Sequence, residues 1–186
     1  MTQTKSELLT KRFRLAPISP DKVSDNWIRW TGDPVLMSQL NARAMKLMRP
    51  DLQRYVAAAW KSKRMIIGIY ARASNEHIGL YEVAVDLRHR NVTLDVLVDH
   101  QRHDLSNALA ETDPVLLDFF AKEHGVEKAV AVVVETNAPL IRHLEATGWL
   151  KEGVLRQEFQ AVAGNRRLDA VQFGRLLDVG RPAGPA

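Results

Sequence analysis

Three strand-like runs in the middle of the chain, separated only by short turns, constrain its fold more than any other sequence feature. Residues 65–73, 77–87 and 91–99 are rich in aliphatic and β-branched side chains. The short polar segments between them, residues 74–75 and 88–90, are suited to tight turns. This arrangement predicts an antiparallel meander whose faces must be covered by the rest of the chain.

The segments before the meander have helical periodicity. A short strand is predicted over residues 12–17. Ser19, followed by Pro20, then predicts the cap and first position of a helix. A second helical stretch is predicted over residues 37–48, and a third begins at Pro50, where apolar residues follow helical spacing.

After the meander, helical and strand-like patterns alternate. Thr112-Asp113-Pro114 predicts a helix start, which leaves residues 100–113 as a loop. A buried strand is predicted next, over residues 128–134, and then a helix that opens at an asparagine, over residues 137–147. A hairpin with strands over residues 154–162 and 168–177 closes the order. The order predicts an α/β fold with a central, mostly antiparallel mixed sheet covered by helices.

The segment ETNAPLIRHLEATGWLKEG, residues 135–153, carries a recognisable motif. Asn137 opens a helix with an apolar stripe, which is followed by Gly148-Trp149 and then by a Glu-Gly pair. This pattern resembles the signature of the GNAT (Gcn5-related N-acetyltransferase) superfamily. Residues 12–34 and 168–177 look like the opening and closing segments of the branch that acetylates ribosomal-protein N-termini.

The resemblance implies a fold, a domain organisation and an activity. It covers residues 12–178 as one GNAT-like acyl-CoA N-acyltransferase domain, with a flexible N-terminus over residues 1–11 and a disordered tail over residues 179–186. The implied reaction is direct transfer of an acetyl group from acetyl-CoA to a primary amine, on a protein N-terminus or a small molecule. A different acyl-CoA donor stays open as an alternative.

The resemblance also assigns a cofactor site. Residues at the end of the third meander strand would bind pantetheine, residues of the following loop would surround the pyrophosphate, and the asparagine of the motif would contact the cofactor: Leu97, Val98, Asp99, Arg102, Asn107, Ala108, Leu109 and Asn137. The loop departs from the glycine-rich family pattern, because residues 100–113 contain no glycine and include Glu111. A catalytically inactive binding or regulatory module with this fold is therefore the alternative.

Two strand carboxylates are the candidates for the base that deprotonates the amine. Asp95 lies in the third meander strand and Glu82 in the second. For each, a solvent-facing strand charge is the competing interpretation. The family's tyrosine acid has no counterpart, because Leu144 stands at that position, and His143 is expected on a solvated helix face.

Composition excludes several classes of site. The chain has no cysteine, which rules out disulfides and thiolate zinc sites. His100 and His103 lack the spacing of a metal site, so no metal is expected. The net charge of +4 is scattered, and no apolar run approaches membrane-spanning length. We expect a cytoplasmic protein that binds neither nucleic acid nor membrane, with a homodimer as one possible assembly.

Overall fold

The computed structural model describes residues 7–179, in which eight strands and five α-helices follow one another. The strands are β1 (Leu8–Leu9), β2 (Phe13–Pro17), β3 (Arg64–Ala71), β4 (His77–Asp86), β5 (Asn91–Val98), β6 (Lys128–Val134), β7 (Leu150–Gln160) and β8 (Arg167–Leu176). The helices are α1 (Asp25–Thr31), α2 (Pro34–Gln39), α3 (Arg49–Lys61), α4 (Leu105–His124) and α5 (Ala138–Ala146). None of these helices is long and apolar enough to cross a membrane.

All eight strands belong to one sheet in the order β1-β2-β3-β4-β5-β6-β8-β7. The meander β3-β4-β5 is antiparallel as predicted, and β5–β6 is the parallel pair among the described strands. That parallel pairing covers only Asn91–Thr93 against Lys128–Val130. Beyond it, β5 stays paired with β4 and β6 stays paired with β8. The sheet therefore opens into a V between the C-terminal parts of β5 and β6.

Two apolar cores lie on opposite faces of the meander, because successive side chains of a strand point to opposite sides. The larger core contains Tyr81 and Leu94 and packs against α4 and α5. The smaller core contains Leu80 and Leu97 from the same strands and packs against α1, α2 and α3. The predicted mixed sheet with helices on it is confirmed.

The N-terminal helices differ from the predicted ones. Pro20–Lys22 forms only a 3-10 turn, and α1 begins after Ser24, whose Oγ accepts a hydrogen bond from Trp27 N at 3.1 Å. The helix predicted over residues 37–48 ends at Gln39. The chain leaves helical geometry at Asn41, whose φ of 48° is left-handed and whose side chain bonds to the backbone of the β7–β8 hairpin.

The predicted loop over residues 100–113 is the largest error. Helix α4 begins at Leu105, with Asp104 as its cap, and Pro114 lies inside the helix. A continuous buried face accounts for the early start: it consists of Leu105, Ala108, Leu109, Thr112, Leu116, Leu117 and Phe120. Burial of this face outweighs the helix hydrogen bond that proline cannot make.

Strand boundaries also move at both ends of the domain. β1 pairs with β2, so the sheet begins before the predicted domain boundary at residue 12. β7 begins at Leu150, four residues earlier along the motif than the strand predicted from Val154. Residues 1–6 and 180–186, which make up most of the predicted flexible ends, lie outside the described part of the chain.

Candidate functional site

A cavity of about 270 Å³ lies between the meander and the N-terminal helices. We call it the helix–sheet cavity. Its floor comes from β4 and β5, and its walls come from α1, α2, α3 and the irregular segment that follows α2. The lining is mostly apolar and includes Trp27, Met37, Leu40, Met45, Leu47, Leu52, Tyr55, Leu80, Val96 and Leu97.

The two sequence-predicted bases lie side by side on the floor of this cavity. Glu82 of β4 and Asp95 of β5 are directly opposite one another in the antiparallel register. Like charges in such a pair repel. Arg64 and Tyr55 both bind the Glu82 carboxylate, one at each oxygen, and so offset its charge.

The two carboxylates differ in their availability. Among residues 7–179, no group donates a hydrogen bond to the Asp95 carboxylate, whereas both carboxylate oxygens of Glu82 are occupied. Asp95 is an exposed residue, but the neighbouring cavity walls still reduce the hydration of its carboxylate and raise its pKa. The Glu82 charge raises that pKa further, and Arg64 partly opposes both effects. The Asp95 carboxylate is therefore available to accept a proton, because no other described group of the site is hydrogen-bonded to it.

The phenol of Tyr55 is a cavity residue that sequence reasoning missed. Loss of hydration raises its pKa well above 10, and its hydrogen bond to Glu82 raises it further. Tyr55 thus remains a neutral hydrogen-bond donor. It lies on the inward face of α3, although nothing in the sequence indicates which strand residue it meets.

The predicted pantetheine residues lie along the open V. Leu97 lines the cavity, and Val98 is fully buried opposite Gly79 of β4. The Asp99 carboxylate is buried and accepts hydrogen bonds from Arg29 at 2.5 Å and from Trp30 Nε1 at 3.0 Å. Its Oδ2 therefore anchors α1, whereas its buried Oδ1 has no hydrogen-bond partner among residues 7–179.

Three of the four predicted pyrophosphate residues lie in α4, and only Arg102 lies in the turn before it. Ala108 and Leu109 are buried in the larger core through α4. The side chain of Asn107 bonds to Asp104 at 2.7 Å, and Arg102 lies near Glu76 at 3.5 Å. The N-terminus of α4 therefore lies before Asn107, Ala108 and Leu109, which were predicted to surround the pyrophosphate.

The first turn of α4 has one feature that favours anion binding and one that opposes it. No backbone carbonyl or side chain within residues 7–179 accepts a hydrogen bond from the amides of Leu105 and Ser106, which lie in the first turn. The carboxylate of Asp104 caps the same turn by accepting from Asn107 N at 3.0 Å. Glu111, by contrast, is held away in an ion pair with Arg12.

Asn137 caps α5, as the motif predicts, because its Oδ1 accepts from Leu140 N at 3.2 Å. Its Nδ2 donates to the Gln39 carbonyl oxygen at 3.2 Å. The Gln39 side chain in turn contacts the ring of His100, just after β5. Gln39 thus links the ends of the two strands that form the V.

A buried polar network beside the V was also missed. The Asp113 carboxylate of α4 accepts hydrogen bonds from Tyr81 Oη and from His143 Nε2, the latter at 3.0 Å. His143 is 3 % exposed, so the predicted solvated position is wrong. It follows Leu140 by three residues, which places it on the buried stripe of α5, and this spacing was the available signal.

Within residues 7–179, no group of three or more histidine or acidic side chains could hold a metal ion. His100 contacts Gln39, and His103 lies 3.6 Å from the carboxylate of Glu76. Both predicted loop histidines are therefore engaged with neighbouring side chains.

Comparison with known proteins shows similarity in structure but not in sequence. No protein-family model matches the chain, and no curated protein matches it. A GCN5-related N-acetyltransferase from Brucella melitensis superposes with a TM-score of 0.77 at 16% identity, covering 95% of this chain and 80% of that one.

Two further solved structures have named acceptors. An acetyltransferase from Salmonella typhimurium that modifies the N-terminal serine of a 50S ribosomal protein matches with a TM-score of 0.78 at 12% identity, over 93% of this chain and 100% of that one. Spermidine N-acetyltransferase from Vibrio cholerae, solved with CoA and spermine, matches at 0.71 and 17% identity, over 90% and 96%. The chain therefore has the fold of the GNAT acetyltransferases.

Proposed function

We propose that this protein is an N-acetyltransferase that transfers the acetyl group of acetyl-CoA directly to a primary amine. The observation that carries the proposal is the Asp95 carboxylate, which lies on the floor of a cavity beside the open V and receives no hydrogen bond from residues 7–179. The solved structures of this fold that resemble the chain are named as acetyltransferases, and one of them contains CoA and a polyamine.

The roles of the two carboxylates follow from their surroundings. An amine attacks only when deprotonated, and Asp95 is the free carboxylate that can accept its proton. The raised pKa of Asp95 makes it a stronger base than an ordinary aspartate. Glu82, held by Tyr55 and Arg64, adds negative charge beside Asp95 and so attracts the incoming ammonium to the floor of the cavity. Acetyl-CoA supplies the thioester that the amine attacks.

The open edge of β5 and the first turn of α4 offer groups that could bind acetyl-CoA, whereas the Asp104 carboxylate opposes its pyrophosphate. The V leaves the edge of β5 beyond Thr93 without a strand partner on one side, which provides backbone groups for an amide chain. The free first-turn amides of α4 suit a pyrophosphate. The Asp104 carboxylate lies at the same turn, so the pyrophosphate would bind against a negative charge unless Asp104 moves.

Acetyl-CoA binding and turnover test the proposal. Saturation at 100 times the dissociation constant should stabilise the protein by roughly 2.7 kcal/mol, which a thermal melt detects. CoA release is then followed over a panel of primary amines. Asp95→Asn should lower the rate at least about tenfold, and Glu82→Gln should lower it less. If neither substitution changes the rate, the base has been assigned to the wrong place.

Two observations favour a second candidate, a GNAT-fold binding module without catalysis. Asp104 caps α4, and Gln39 links His100 to Asn137 at the ends of the V. Both features oppose entry of CoA. In this case acetyl-CoA produces no melting shift, and no amine in the panel releases CoA.

A further inference from the structure

The wall of the helix–sheet cavity is more apolar than an amine alone requires. Trp27, Leu52 and Leu80 are each less than a tenth exposed, yet all three line the cavity. Buried apolar walls around an open volume are stabilised when a ligand replaces water against them. A ligand with a substantial apolar group would therefore gain affinity here.

The charges in the cavity are arranged for a single cation. Glu82 and Asp95 are the acidic residues of the lining, and they are adjacent on the floor. Arg43 lines the same cavity and is exposed, and no carboxylate of residues 7–179 forms an ion pair with it. An ammonium group is attracted to the floor, whereas a second cation elsewhere in the cavity would meet Arg43.

We propose that the acceptor is a primary monoamine with a large apolar substituent close to the nitrogen, such as a leucine- or phenylalanine-like amino terminus. This inference rests on the proposed acetyltransferase function and specifies its acceptor class. The ammonium binds at the Asp95 carboxylate, beside the Glu82 charge, and the apolar substituent packs on Trp27, Leu52 and Leu80. The cavity volume of about 270 Å³ suits one such residue and not a folded segment.

Small polar acceptors and polyamines are disfavoured for separate reasons. A serine-like side chain leaves the apolar wall hydrated and gains none of the transfer free energy. A polyamine brings a second ammonium toward Arg43, where the lining provides no carboxylate. Selection therefore depends on both side-chain volume and charge number.

Steady-state CoA release with leucinamide, phenylalaninamide, serinamide and spermidine tests the proposal at saturating acetyl-CoA. Leucinamide and phenylalaninamide should exceed serinamide and spermidine in kcat/KM by at least about tenfold, because a few methylene groups in an apolar pocket discriminate to this degree. Equal values for all four amines, or a preference for serinamide or spermidine, overturn the proposal and leave the acetyltransferase function intact.

A matched pair of methionines supplies the control variants. Met45 lines the cavity and Met48 does not, and they are 53% and 61% exposed. Met45→Trp fills cavity volume and should lower kcat/KM for leucinamide at least about tenfold while changing that for serinamide less than threefold. Met48→Trp should leave both within twofold. Equal effects of the two substitutions contradict the assigned site.

Direct binding separates failure of the acceptor class from failure of the enzymatic function. Calorimetric titration of the protein with phenylalaninamide and serinamide needs no turnover. Tighter binding of phenylalaninamide that is weakened by Met45→Trp supports the cavity as its site, even if no amine releases CoA. Absence of CoA release with every amine overturns the acetyltransferase proposal, and equal binding of the two amides overturns the acceptor class.

Discussion

The ionised Asp95 carboxylate destabilises the folded protein. It lies across the strand pair from Glu82, and the cavity walls reduce its hydration. Its folded-state pKa is therefore higher than in the unfolded chain. Above that raised pKa, the ionised carboxylate lowers the free energy of unfolding, and the penalty disappears as pH falls and the group is protonated. Unfavourable charges retained at a cavity floor are typical of functional sites.

Asp95→Asn is expected to stabilise the protein at pH 7 by roughly 0.2–1 kcal/mol, the scale of a like-charge cross-strand pair. The difference from the wild type should shrink as pH falls from 7 to below the ordinary aspartate pKa of about 3.9, because a carboxyl group with a raised pKa is protonated before an ordinary one. Urea unfolding of both proteins at the two pH values measures this difference in unfolding free energy. Glu82→Gln is the control and should destabilise, because Arg64 loses its partner. A less stable Asp95→Asn protein at pH 7 would contradict this explanation.

Asp113 has the opposite role, since its carboxylate joins α4 to both β4 and α5. Asp113→Ala leaves His143 Nε2 buried without its partner and leaves Tyr81 Oη with Thr112 Oγ1, at 2.7 Å, in place of two partners. We expect a loss of about 3 kcal/mol in unfolding free energy. Asp118→Ala, on the exposed side of the same helix and paired with Lys122, should cost less than about 0.5 kcal/mol. Similar losses for the two variants would show that the network contributes little.

At the scale of elements, the start of α4 determines how an anion can approach the V. Asp104 stabilises the first turn as a cap, but its charge competes with any phosphate for the same amides. Stability and anion binding therefore make opposing demands on one position.

Asp104→Ser separates these two demands, because serine caps a helix without a charge. Stability should stay within about 0.5 kcal/mol of the wild type, and acetyl-CoA should bind several-fold more tightly. Asp104→Ala, the control, should lose about 1 kcal/mol through loss of the cap. Calorimetric titration and urea unfolding measure the two effects. Unchanged affinity in Asp104→Ser would place the pyrophosphate elsewhere.

The elements show where sequence reasoning succeeded and where it could not. Runs rich in aliphatic and β-branched residues, separated by short polar turns, identified the meander, because both signals are local in the sequence. The start of α4 was missed because Pro114 is a strong local signal, whereas burial of the helix face depends on the whole fold. The Tyr55–Glu82 contact joins residues 27 positions apart, and no local pattern encodes such a pairing.

At the scale of the whole molecule, the meander separates two cores of different packing. The larger core contains α4 and its buried side chains. The smaller core contains the helix–sheet cavity, so its side chains lack packing partners on one side. The larger buried cluster lies on the α4 face, and the cavity that could take a ligand lies on the other.

The same substitution in each core tests this difference. Leu109→Ala in the larger core should cost about 4 kcal/mol, and Leu52→Ala beside the cavity about 2 kcal/mol. Leu109 is fully buried, and Leu52 is 3% exposed, so exposure does not account for the contrast. Urea denaturation gives both values. A larger loss for Leu52→Ala would show that the smaller core is the more tightly packed one.

The short parallel pairing of β5 and β6 has a consequence for exchange of amide protons with solvent. Beyond Thr93 and Val130, each strand has a ladder on one side only. Backbone N–H groups point alternately to the two sides of a strand, so every second amide of β5 after Thr93 faces the V without a strand acceptor. These amides should exchange with deuterium without unfolding, whereas their neighbours toward β4 are protected. A ligand amide chain bound in the V would accept hydrogen bonds from individual β5 amides, and each amide that donates one would exchange more slowly.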